Sequence, residues 1–146
     1  MPENGKIFSL VKPTIDTPFH IDFEWWQETD SNWRIFLFSF LCEKHQHDFA
    51  EKSDSFMIDA VDPETAQVKP VDGFLYTLMN HCAQNNDFIP SNLPIVGRIF
   101  RTFLANGNKA LSPKQLSEMI ERPEKTILIT IGSRQVYKGI RPVNNK

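Results

Sequence analysis

The stretch Leu111-Ser112-Pro113-Lys114-Gln115-Leu116 decides how this chain folds. Ser112 is placed to cap a helix, Pro113 stands at the first helical position, and Gln115 completes a capping box. Leu111 and Leu116 flank the cap as a hydrophobic staple. The spacing predicts a helix to about Ile120, broken by Glu121-Arg122-Pro123. Upstream, Ser91-Asn92-Leu93-Pro94 opens another helix. Its apolar residues Ile95, Val96, Ile99, Phe100, Phe103 and Leu104 recur at helical spacing until Asn106-Gly107 closes it. Downstream, a third helix is expected from Glu124 to Ile131, ended by Gly132. A strand is then expected over 135–140, stopped by Pro142.

This order of helix, short capped helix, tight turn, helix and basic strand resembles the winged helix-turn-helix family over residues 91–142. The apolar frame that carries the resemblance is Ile99, Phe103, Leu104, Leu111, Leu116, Ile120, Ile127 and Ile131. The family contains many DNA-binding transcription regulators, and also modules that bind RNA or other proteins. The resemblance implies a non-enzymatic regulatory or accessory protein that meets nucleic acid through its basic portion. One departure shapes that expectation. The third helix, Thr126-Ile127-Leu128-Ile129-Thr130-Ile131, offers few donors for base edges. Weak sequence preference is therefore expected, with phosphates contacted by Arg122, Lys125, Arg134, Lys138 and Arg141.

Charge supports the division. Residues 1–90 carry 6 Lys+Arg against 15 Asp+Glu, a net of −9, whereas residues 91–146 carry 10 against 3, a net of +7. A basic third can meet phosphates or an acidic protein surface, and the two blocks can also attract each other within the fold. The expected organisation is an arm over 1–17, an acidic α/β portion over 18–90 and a basic winged-helix-like portion over 91–146. With 146 residues, 40% hydrophobic and 23% charged, the chain is globular in composition and long enough to bury a core without a disulfide or metal. The longest apolar run, 35–42, is far too short to span a bilayer, and the N-terminus lacks the apolar core of a signal peptide. A cytoplasmic protein with no membrane partner is expected.

Phe19-His20-Ile21-Asp22-Phe23-Glu24-Trp25 alternates as a half-buried strand does, and Asp30-Ser31 can cap a buried helix over 32–43. A short helix or loop follows over 44–54. Residues 56–61 and 66–71 flank the turn Asp62-Pro63-Glu64-Thr65 as a β-hairpin, with Pro70 marking an edge. Asp72 caps a helix over 73–84. The fold class is thus α+β: an N-terminal strand, buried helix and β-hairpin packed with the winged-helix-like portion.

Two patches gather the sulfur and most of the imidazole. Cys42, His45 and His47 form C-x2-H-x-H, and His81 and Cys82 are adjacent. Cys42, His45, His81 and Cys82 together offer a zinc ligand set. Finger spacing is lacking, however, and adjacent residues of a helix diverge by about 100°. Cys82 also fits an apolar helical face. The sequence reading therefore prefers core cysteines and no stoichiometric zinc. His20, Asp22 and Glu24 share a strand face that could serve acid–base chemistry, yet it matches the wet face of any such strand. No Gly-rich phosphate loop, nucleophile elbow or H-E-x-x-H is present, so no enzyme is expected. The alternative function is a protein-interaction module or homodimer, using the apolar third helix or an exposed Trp26, with Trp25 packed in the core.

Overall fold

The computed structural model describes residues 12–49 and 57–143. Its class is α+β, with helices around two small antiparallel sheets. In chain order the elements are β1 (Phe19–Ile21), α1 (Phe23–Thr29), α2 (Trp33–Phe38), α3 (Glu43–Phe49), β2 (Met57–Val61), β3 (Val68–Asp72) and α4 (Gly73–Asn80). A 3₁₀ turn at Cys82–Gln84 leads to α5 (Ile95–Ala105), α6 (Pro113–Ile120), α7 (Glu124–Ile131) and β4 (Ile140–Pro142).

The helix start at Ser112 has the geometry its sequence specifies. The Gln115 N–H donates to the Ser112 hydroxyl at 3.2 Å, and the Ser112 N–H donates to Gln115 Oε1 at 2.9 Å. Glu121 then turns the chain in the left-handed region, at φ 57°, so that α7 leaves α6 sharply. Leu116, Ile120, Ile127 and Ile131 are buried against Ile99, Phe103 and Leu104 of α5 in one apolar cluster. That cluster also holds Phe19, Ile21, Trp26, Leu37 and Leu78, so the acidic and basic portions share a core.

Strand β1 joins the two portions. Phe19 exchanges both backbone hydrogen bonds with Leu111, at 2.9 and 3.0 Å. His20 pairs with Arg141 on β4, and Ile21 with Ile140. An antiparallel strand directs alternate residues to its two neighbours, which leaves Ile21 facing the Leu111 side. Asn108 occupies that place. Its Oδ1 accepts from the Ile21 N–H at 2.8 Å, and its Nδ2 donates to the Ile21 carbonyl at 2.9 Å. One side-chain amide thus continues the ladder where the backbone has turned away.

Four expectations require correction. The strand expected over 19–25 stops at Ile21, because Asp22 accepts from the Trp25 N–H at 3.0 Å and starts α1. Helical phase then exchanges the two tryptophans. Trp26 is buried between Phe23, Trp33, Phe36 and Phe100, whereas Trp25 stays half-exposed, so Trp26 is no contact surface. The helix expected over 32–43 ends at Phe38, where the Ser39 hydroxyl bonds the Phe36 carbonyl, and it resumes as α3. The strand expected over 135–140 is displaced to β4, because Lys138 and Gly139 are both left-handed, at φ 46° and 82°. Gly139 is pressed there against the Asp22 carbonyl and Trp26 Cβ, each 3.1 Å from where its own Cβ would stand.

The hairpin forms as its turn chemistry requires. Met57–Val61 pairs with Val68–Asp72, and the Asp62 carboxylate accepts from the Glu64 and Thr65 N–H groups. Phe56, expected to begin the first strand, lies outside the described residues, as do residues 1–11 of the expected arm. Asp72 caps α4 through the Phe74 and Leu75 N–H groups and also holds Arg34 at 2.9 Å. Among the described residues, no helix is long and apolar enough to cross a membrane.

Candidate functional site

Two groups of side chains stand out, one basic and one of sulfur and imidazole. The basic group follows from the turn at Glu121. Arg122 and Lys125 are exposed around the start of α7, and Arg134 is exposed just beyond its end. None of the three has an ion pair among the described residues. The Arg122 guanidinium donates to the neighbouring Glu121 carbonyl at 3.2 Å, and its own backbone carbonyl accepts from the Ser117 hydroxyl. On α7 itself, Ile127 and Ile131 face the core while Lys125, Thr126 and Ile129 face outward.

The other two expected phosphate contacts are engaged within the fold. Arg141 pairs with Asp22 at 3.0 Å and lies over the Trp25 ring at 5.2 Å. The Lys138 ammonium lies 4.4 Å from the Phe36 ring centroid, a cation–π contact. Neither is a free cation in the sense the sequence reading assumed. Geometry also dissolves the row His20, Asp22 and Glu24. Asp22 caps α1 and binds Arg141, and Glu24 belongs to a helix.

The second group is built by three local decisions. Cys42 stands immediately before α3, whose backbone returns to it through the Gln46 N–H at 2.9 Å. His45 is three residues on, which puts both side chains on one face of the first turn. Helix α4 ends at Asn80, and His81 breaks from helical geometry at φ −120°, ψ −64°, before Cys82 enters the 3₁₀ turn. The helical divergence that sequence reading set against joint use of His81 and Cys82 therefore does not apply.

The result is a convergence. Cys42 Sγ lies 3.0 Å from His45 Nδ1, Cys82 Sγ lies 3.4 Å from the same nitrogen, and the two sulfurs are 3.5 Å apart. The His81 ring stands beside this set, its centroid 5.4 Å from that of His45. His47, included in the sequence pattern, is exposed and outside the cluster. Burial pushes the Cys82 thiol up to about 11, so the free thiol keeps its proton at neutral pH. Both cysteines are free thiols. Sequence reading named all four residues but had no means of bringing the two patches together.

No protein-family model, curated protein or solved structure matches this chain.

Proposed function

We propose that the protein is a non-enzymatic accessory or regulatory module that contacts the nucleic-acid backbone through Arg122, Lys125 and Arg134. The observation that carries this reading is the sharp turn at Glu121. It leaves these three cations exposed at the two ends of α7 and, among the described residues, without ion pairs. The helix order α5, α6, α7 and the strand β4 accord with the winged helix-turn-helix resemblance, which supports the same reading. Charge supports it too: among the described residues, one ion pair, Arg141–Asp22, joins the basic third to the acidic portion. Phosphate contact is sequence-independent, and the outward face of α7 offers Ile129 where base-edge donors would stand.

The test is a fluorescence-anisotropy titration of the full chain with labelled duplexes of related and unrelated sequence. Similar affinities are expected. Three neutralised phosphates give a log–log salt slope of about −2.7. The triple variant Arg122→Ala, Lys125→Ala, Arg134→Ala should abolish most binding at low salt, while Arg141→Ala should disturb stability more than affinity. Failure to bind duplex DNA or RNA at low salt sinks the proposal.

A second reading rests on its own observation. Met119 on α6 and Ile129 on α7 are 52% and 75% exposed, unusual for apolar residues of a helical pair that otherwise buries its apolar side chains. They suit a protein contact, and a concentration-dependent mass that Ile129→Lys removes would support that function instead.

A further inference from the structure

Cys42, His45, Cys82 and His81 meet at the junction between α3 and the end of α4, remote in sequence from the basic group. The atoms Cys42 Sγ, His45 Nδ1 and Cys82 Sγ form a triangle with edges of 3.0, 3.4 and 3.5 Å. Hydrogen bonds fill at most two of these edges, and the third is a van der Waals contact. If Nδ1 accepts, the two thiols donate along two edges at most. If Nδ1 carries its hydrogen, one thiol can donate to the other and the ring to one sulfur, again two edges. A single cation at the centre of the group satisfies all three lone pairs at once.

The dimensions suit zinc. Zinc–sulfur bonds of about 2.3 Å and zinc–nitrogen bonds of about 2.0 Å, at tetrahedral angles, place sulfur about 3.8 Å from sulfur and about 3.5 Å from nitrogen. The observed edges are shorter than these by about 0.1 to 0.5 Å. The His81 ring stands nearby, its centroid 5.4 Å from that of His45, with its nitrogens outside the group of three. Two thiolates with two imidazoles select zinc over hard, oxygen-seeking cations such as magnesium or calcium. Surroundings agree with a structural role: Cys82 is 1% exposed, and α3, which fully buries no side chain, meets the core through the half-buried Phe49 against Phe74.

We propose that Cys42, His45, Cys82 and His81 bind one Zn²⁺ as a closed structural site that staples α3 to the end of α4. The first three ligands stand in place, and His81 completes the tetrahedron by turning its exposed side chain inward. Binding replaces two thiol protons, which pass to solvent, and both cysteines ligate as thiolates. The site is neutral overall, a +2 ion against two thiolates, and involves no oxidation or reduction.

The test uses the full-length protein, purified without a metal-binding tag under reducing conditions and re-equilibrated with Zn²⁺. Elemental analysis should find one zinc per chain, and Co²⁺ exchange should give sulfur-to-metal charge transfer with the intense visible bands of a tetrahedral ion. Cys42→Ser and Cys82→Ser should each reduce bound zinc at least tenfold. His81→Ala should weaken zinc in competition with a chromophoric chelator, whereas His47→Ala should leave it unchanged. Because a cysteine variant can also fail to fold, the Co²⁺ spectrum of the unaltered protein decides independently. Zinc well below one equivalent, an octahedral Co²⁺ spectrum, zinc that survives both serine variants, or a Cys42–Cys82 disulfide in place of metal would each overturn the proposal.

Discussion

Asn108→Ala removes the side chain that stands in for a strand. Two hydrogen bonds to Ile21 are lost, at 2.8 and 2.9 Å, and Ile21 is 1% exposed, so water cannot readily replace them. Each such bond is worth about 1 kcal/mol net, and more where the partner is left buried and unpaired. Asn108 also sits in the left-handed region at φ 61°, which asparagine tolerates and alanine resists by about 1 kcal/mol. The sum is a loss of about 3 kcal/mol, or a fall in melting temperature of about 10 °C for a chain of this size. Asn108→Gly loses the same hydrogen bonds but relieves the backbone, so it should cost about 1 kcal/mol less than Asn108→Ala. Urea unfolding followed by tryptophan fluorescence reads both, since Trp26 lies in the shared core. If Asn108→Ala unfolds within about 0.5 kcal/mol of the unaltered protein, the amide does not continue the β1 ladder and the account of how the two portions join is wrong.

Ser112→Ala removes the acceptor for the Gln115 N–H and half of the capping box, and should cost about 1 kcal/mol in denaturant melts. Gly139→Ala must place a methyl group about 3 Å from the Asp22 carbonyl at φ 82°, so it should destabilise more than Gly107→Ala, which shares the positive φ but meets nothing within 4 Å. Asp30 accepts from the Asn32 N–H and the Trp26 indole, which hold its carboxyl below the usual carboxylate value. Its contribution is therefore complete above pH about 4 and disappears as pH falls through the lowered value; an acid titration of Asp30→Asn should lack that part of the loss. Trp26→Ala empties a site ringed by Phe23, Trp33, Phe36 and Phe100, and calorimetry should show a cost of about 3–5 kcal/mol.

Whatever depends on neighbours within a turn or two of chain is legible in the residues alone. The cap at Ser112, the break at Glu121-Arg122-Pro123, the hairpin turn at Asp62 and the cap at Asp72 are all encoded by residues that touch one another locally. The local code failed where two local signals competed. Phe19 to Trp25 alternates like a strand, yet Asp22 also caps a helix. The helix prevails because it carries Trp26 into the core and leaves Phe19 and Ile21 to pair with Leu111 and Asn108. Which cations are paired among the described residues depends instead on distant parts of the chain. Arg141 and Arg134 look alike in sequence, but Asp22 lies beside the first, from a residue 119 positions away. Packing likewise sets Cys42 and Cys82, separated by 40 positions, with their sulfurs 3.5 Å apart. Spacing along a chain constrains directions only while the backbone stays regular. Beyond that range the packing of α3 against the end of α4 fixes where side chains meet, and burial of apolar surface, rather than the chemistry of the residues brought together, drives that packing.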